Sequence, residues 1–253
     1  MDKRKLLRIS RFLGYEAVEA LQDKFVVLVG VGAVGSFCLE ALARSGIGSF
    51  RLVDFDRVEY SNINRQLVAL ESTVGELKVE VAKARIHDIE PATLVETMPI
   101  FLDQTNIEAI MAPNEQGRKP DLIVDAIDSV PSKCLLLKYC YFNKIPVVSS
   151  MGAALRKDPS LVQTGDLMKT HGCPLAKQVR TTLRKEGVGK GIPVVFSPEE
   201  VDFQYGQDGN QKVLGSLPTL TGIFGLNLAH LALNQLLPTP LTGAASTNSK
   251  PTN

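Results

Sequence analysis

The apolar run Phe25–Val29 stops at Gly30, and Gly30, Gly32 and Gly35 then spell G-x-G-x-x-G. Phe37, Leu39, Ala41 and Leu42 follow at helical spacing, and a second apolar run over residues 50–53 ends on Asp54. Strand, tight turn, helix, and a second strand closing on an acid form the arrangement that binds a nucleotide. The glycines let the backbone approach phosphate, and the helix N-terminus offers unpaired N–H groups. Asp54 can accept from ribose hydroxyls. A glycine motif alone says little, but here every flanking element falls where such a fold needs it.

A dinucleotide is the default occupant of this motif, and Asp54 would suit NAD over NADP. The residues downstream favour a triphosphate instead. Asn62, Asn64, Arg65, Gln66 and Lys78 gather soon after Asp54. Two extra cations are superfluous for a pyrophosphate resting on a helix N-terminus. They suit a triphosphate whose charge must be offset as pyrophosphate leaves. The apolar run over residues 121–127 sits in the context DAIDS, which places Asp125 and Asp128 near the carboxyl end of another strand. A carboxylate there can hold Mg²⁺ beside phosphates. The plainer reading makes Arg65 and Lys78 a solvated face and Asp128 the cap of a helix starting at Pro131.

GVGAVGS, LVDFDRVEYSNINRQ, VGELKVEVA and DAIDS resemble, in order and spacing, the adenylating domain of ubiquitin-activating enzymes and of their bacterial relatives in thiamine and molybdopterin synthesis. The resemblance is dense over residues 8–152 and thinner beyond. It implies that ATP is bound by Gly30, Gly32, Gly35, Asp54, Asp56, Asn62, Arg65, Gln66, Lys78 and Asp128. Arg65, Lys78 and Asp128 would act on the phosphates, with Asp128 positioning Mg²⁺. It further implies a homodimer in which Arg11, in RFLGYEAVEAL, reaches the partner's site. A narrower set of segments, including NKIPVVSSMGAA and DLMKTHGCPLAKQVRTTLRKEGV, is similar to the branch of this family that dehydrates threonylcarbamoyladenosine in tRNA. That resemblance implies adenylation of a threonine carboxylate beside the anticodon, then ring closure with loss of AMP. The competing expectation is activation of the C-terminal glycine of a ubiquitin-like sulfur carrier, with a sulfur-mobilising protein as a further partner.

The order of elements predicts an α/β fold, a doubly wound, mostly parallel sheet with helices on both faces. Helices are expected over residues 74–89, 104–111, 132–143 and 174–186, with strands over 94–99 and 145–150. An irregular, partly antiparallel extension starts at Met151 and ends in an apolar helix over residues 217–237. Residues 1–237 read as one adenylating domain, with a nucleotide-binding core over about 25–150 and a substrate-binding part over about 151–237. Residues 238–253 have little to bury and read as a disordered tail. With 253 residues and 44% hydrophobic content the chain can bury a sizeable core. Thr219, Thr221, Asn227, His230, Asn234 and Gln235 make the terminal apolar stretch too polar for lipid. No signal peptide is evident, so a cytoplasmic enzyme is expected.

Cys38, Cys134, Cys140 and Cys173 include no C-x-x-C pair, so a zinc site is not expected. The first three read as packed thiols. Cys173, in HGCPLA before a helix, is the one candidate nucleophile. The histidines, His87, His171 and His230, carry no distinctive signal. A net charge of +1 leaves nucleic-acid contact to local patches. Lys177, Arg180, Arg184 and Lys185 lie along one helix, with Lys190 beyond it, and are the tRNA-binding candidates. Lys3, Arg4, Lys5 and Arg8 form a second basic cluster.

Overall fold

The computed structural model describes residues 4–201, 206–208, 211–239 and 241. Lys3 and, apart from residues 238, 239 and 241, the expected tail lie outside them. Two short helices, α1 (Leu7–Leu13) and α2 (Tyr15–Gln22), precede the first strand. The strands are β1 (Phe25–Val29), β2 (Ser49–Val53), β3 (Leu94–Met98), β4 (Leu122–Asp125), β5 (Val147–Ser150), β6 (Gln163–Asp166) and β7 (Pro193–Phe196). They form one sheet in the order β3-β2-β1-β4-β5-β7-β6. Every neighbouring pair is parallel except β6 with β7, which is antiparallel. A separate antiparallel pair, β8 (Gly206–Asp208) and β9 (Gln211–Val213), follows.

Helices α3 (Gly35–Arg44), α4 (Lys78–Ile89) and α8 (Pro218–Leu236) cover one face of the sheet, and α5 (Ile107–Met111), α6 (Val130–Phe142) and α7 (Pro174–Lys185) cover the other. The strand period of two divides β1 accordingly: Val26 and Leu28 enter the first core, while Phe25, Val27 and Val29 enter the second. A strand buried on both sides is what its continuous apolar run encodes. Glycine sets the approach of α3 to α8, since a Cβ on Gly225 would lie 2.5 Å from the Val34 carbonyl oxygen and 2.7 Å from the Phe37 Cβ.

Several element boundaries differ from the sequence reading, each for a local reason. Helix α4 starts at Lys78 because Gly75 has φ +89° and Leu77 forms an antiparallel bridge with Arg57. Helix α5 starts at Ile107 because the Asp103 side chain accepts from the Thr105 amide and Asn106 turns back to Phe101. Helix α6 starts at Val130 with Ser129 as its N-cap and no side-chain capping bond, so Asp128 does not serve as a cap.

Candidate active site

The strand order reverses across β1 and β4, and crevices at such a reversal receive ligands beyond the carboxyl ends of the strands. A cavity of about 700 Å³ opens there. Its wall brings together Gly30, Gly32, Asp54, Asp56, Asn62, Arg65, Gln66, Lys78 and Asp128, residues drawn from five separate stretches of chain. Of the expected ATP-binding set, only Gly35 stands outside the wall.

The three loop glycines do different jobs. Gly30 has φ +94°, and a Cβ there would sit 2.7 Å from the Ala126 carbonyl oxygen, so β1 and β4 could not splay correctly around a larger residue. A Cβ on Gly35 would lie 1.8 Å from the Gly30 oxygen, so this glycine serves helix-to-strand packing. Gly32 is different. Its Cβ would meet nothing nearer than Gln66 Nε2 at 3.9 Å. Internal packing does not demand a glycine at this position, which faces the cavity.

Asp54 braces this loop. Its Oδ2 accepts from the Val31 amide at 2.6 Å and its Oδ1 from the Asp56 amide at 2.9 Å. Burial pushes its carboxyl above the usual range, against the pull of those two amides and of Lys78. Each oxygen keeps a further lone pair for a hydroxyl. Lys78, at the first position of α4, is buried, and its Nζ donates to Asp56 Oδ2 at 2.7 Å. Asn62 is held by its own turn, accepting from the Glu59 amide at 3.2 Å. Arg65 is tethered only locally, to the Ser61 carbonyl at 2.7 Å and Asn64 Oδ1 at 3.0 Å. Gln66 Oε1 is buried and takes no hydrogen bond, an acceptor that the described residues leave unmatched.

The two acids of DAIDS separate in role. Asp125 is fully buried and belongs to a polar cluster inside the protein. Its Oδ2 accepts from Lys133 Nζ at 2.6 Å and from Ser149 Oγ at 2.6 Å, and its Oδ1 accepts from the Ile127 amide at 3.0 Å. The expectation that either acid could face phosphate is therefore corrected for Asp125, whose oxygens are occupied. Asp128 is exposed on the cavity wall and makes no hydrogen bond or ion pair with the described residues. One such carboxylate suits Mg²⁺, which takes one or two carboxylates and completes its octahedron with phosphate oxygens and water.

The remaining candidates lie elsewhere. Arg11 is exposed on α1, and the cavity wall does not include it. Arg180 donates to the Thr170 carbonyl at 2.7 Å and Arg184 to the Met168 carbonyl at 3.2 Å, so half of the basic face of α7 fastens the preceding turn. Lys177 and Lys185 remain exposed. Of the N-terminal cluster, Lys5 is paired with Glu90 at 3.1 Å. Burial raises the thiol pKa of Cys38, Cys134 and Cys140, that of Cys140 to about 12. These three are poor nucleophiles, because the thiolate is the reactive form. Cys173 is the N-cap of α7 and is buried against the cavity.

Three wall features escaped the sequence reading. Phe55 and Phe101 meet edge to face, 5.1 Å between centroids, and offer an exposed aromatic surface. Arg156, just past β5, is buried in the wall. Ordinary-looking positions in the sequence hid all three, since no spacing rule marks a residue that folds in from a loop.

The ThiF family matches residues 3–252, and the chain belongs to it. Among curated proteins it is 48% identical over 228 residues to the tRNA threonylcarbamoyladenosine dehydratase of Bacillus subtilis, covering 87% of this chain and 88% of that one. It is 40% identical over 201 residues to the Escherichia coli protein of the same description, covering 77% and 73%. The crystal structure of the E. coli dehydratase, TcdA, in complex with ATP superposes with a TM-score of 0.84 at 35% identity, over 92% of this chain and 94% of that one. The molybdopterin-synthase adenylyltransferase of E. coli is 35% identical over 150 residues, covering 59% and 57%. The match to the adenylyltransferase thus spans a smaller share of this chain than the matches to the dehydratases.

Proposed function

We propose that this chain is an ATP-dependent dehydratase that adenylates the threonine carboxylate of threonylcarbamoyladenosine in tRNA and closes it to the cyclic form, releasing pyrophosphate and AMP. The observation that carries this reading is the wall itself. A glycine loop with an open Gly32, a braced Asp54 and the cations Arg65 and Lys78 share one cavity with the unpaired Asp128. Similarity to threonylcarbamoyladenosine dehydratases over most of both chains supports the choice of substrate.

In the first step the ionised carboxylate attacks the α-phosphorus and pyrophosphate leaves, so no general base is required. Asp54 accepts from the ribose, Phe55 and Phe101 face the purine, and the amides after Gly30 cradle phosphate. Arg65 and Lys78 offset the charge that collects on the leaving pyrophosphate. Asn62 and Gln66 line the same wall. Asp128 would hold Mg²⁺, which when bound neutralises phosphate charge. In the second step the ureido group of the same unit attacks the acyl carbon and expels AMP, which carries away one former carboxylate oxygen. Ring closure within one small unit gains a large effective molarity, so a protein thioester would add a step without need.

Residues 1–237 act as one domain in this reading, in the cytoplasm, where tRNA is modified. Two copies would pair so that Arg11 of each completes the other's site. Mixing Arg11→Ala with Asp128→Ala subunits restores activity if so, and leaves the mixture inactive if Arg11 serves its own chain. Lys177, Arg180, Arg184 and Lys185 supply phosphate contacts, of which Lys177 and Lys185 are the less encumbered. No helix of the described residues is long and apolar enough to cross a membrane.

The test compares two substrates. Pyrophosphate is expected on adding tRNA that carries threonylcarbamoyladenosine and not on adding a sulfur carrier with a Gly-Gly end. Cys173→Ser is expected to form the cyclic product at a rate close to the parent. Pyrophosphate exchange without product in that variant would make Cys173 the acyl acceptor, and a response to the carrier alone would place the chain with the adenylyltransferases.

A further inference from the structure

Four basic side chains are buried among the described residues: Arg51, Lys78, Lys133 and Arg156. Three of them are fully provided for. Arg51 is paired with Glu96 at 2.6 Å and donates to the carbonyls of Ile110 and Ala112 at 2.7 and 2.6 Å. Lys78 has Asp56, and Lys133 has Asp125, Ser149 and the Ser150 carbonyl. Arg156 has none of this. It is 3% exposed, and its Nε and Nη1 are buried with no hydrogen-bond partner.

A guanidinium taken out of water without a carboxylate is costly, and such groups are normally paired. The fold nevertheless takes trouble to place this one. Leu155, immediately before it, adopts φ +62°, a left-handed conformation that few non-glycine residues hold. Its amide is fixed to the Gly215 carbonyl at 2.9 Å. On the other side, Glu199 accepts from the amides of Lys157 and Asp158 at 3.1 and 3.2 Å, so this nearby carboxylate is spent on the backbone. Both flanks are thus pinned while the side chain lines the cavity, on the stretch that follows β5, away in sequence from the glycine loop, Arg65 and Lys78.

We propose that Arg156 is the receptor for the acyl substrate's carboxylate, taken in two-pronged fashion on the Nε–Nη2 edge, where the two N–H groups run side by side. The planar fork of arginine matches a carboxylate in a way that the point charge of lysine does not. The pairing would hold the ureido-threonine unit in the cavity and supply the buried cation with the anion it lacks. The proposal rests on the reading of the cavity as an adenylating centre and adds to it the residue that selects an acid. Arg156 is then a substrate-binding residue distinct from the phosphate cations.

The test uses the full-length protein and tRNA carrying threonylcarbamoyladenosine, with the parent, Arg156→Met and Arg156→Lys. Arg156→Met is expected to lower kcat/KM for the tRNA by about 10- to 100-fold, the loss of hydrogen bonds to a charged group. Arg156→Lys is expected to recover part of it. ATP affinity stays at the parent value in both. The parent should bind the modified tRNA more tightly than the same tRNA esterified at the threonine carboxyl, and Arg156→Met should bind the two alike. Arg156→Met is also expected to melt no lower than the parent, since it removes an unpaired buried charge. Retained preference for the acid, an unchanged kcat/KM, or a parallel loss of ATP affinity would each overturn the assignment. Failure of the parent to release pyrophosphate with this tRNA is a separate result, seen without any variant, and it removes the reading on which the assignment rests.

Discussion

Replacing Asp128 or Arg65 with alanine is expected to cut AMP formation by roughly 100- to 1000-fold, on the order of 2.7–4 kcal/mol of transition-state stabilisation. Thermal stability should stay at the parent value. The two expectations come from the same structural fact. Asp128 makes no bond to the described residues, and Arg65 holds only its own loop, at Ser61 and Asn64. Neither side chain contributes to the core, so removing either leaves the fold intact and deprives the cavity of charge. Arg65→Lys should recover little, because a point charge does not reproduce the fork. Measured activity within a few-fold of the parent would take both residues out of the chemistry.

Lys133→Met should behave in the opposite way and unfold the protein readily. It strands the Asp125 carboxylate at 0% exposure, and breaking a buried pair from one side commonly costs about 3–5 kcal/mol. Urea denaturation measures this as a lower midpoint. Asp125→Asn should cost less, since the amide can still accept from Lys133. Replacing both partners by apolar residues of matching volume should restore much of the stability. The double variant would remain a poor enzyme. Asp125 Oδ1 takes the Ile127 amide at 3.0 Å, and that bond shapes the turn on which Asp128 stands. A single Lys133→Met variant as stable as the parent would mean that the buried pair contributes nothing to the fold.

Those contrasts explain what could be read from the chain beforehand. The β1–α3–β2 unit was legible because a buried parallel strand needs a continuous apolar run and its turn needs glycine at fixed places. The convergence of Asn62, Arg65, Gln66, Lys78 and Asp128 on one cavity was legible from their motifs, the first three in the loop after β2, Lys78 opening α4 and Asp128 following β4. Asp125 and Asp128 could not be told apart, because their fates depend on Lys133 and Ser149, one on a helix and one on another strand. Arg156 left no trace, since its significance lies in partners it does not have. The start of α4 was missed because a single bridge between Arg57 and Leu77 outweighs the helical pattern of the residues before Lys78.

If Lys78 serves the phosphates as proposed, its pairing with Asp56 bears on turnover rather than on the chemical step. An ammonium group 6% exposed is never left bare in this site, because a carboxylate stands 2.7 Å away. An arriving polyphosphate must draw the lysine from that neighbour, which taxes weak anions more than strongly charged ones. When the anion departs, the same neighbour takes the lysine back. Release therefore is not opposed by the expense of stranding a cation in a half-dry crevice. The resting contact would then work as a return spring, tightening discrimination on entry and easing the exit of spent phosphate.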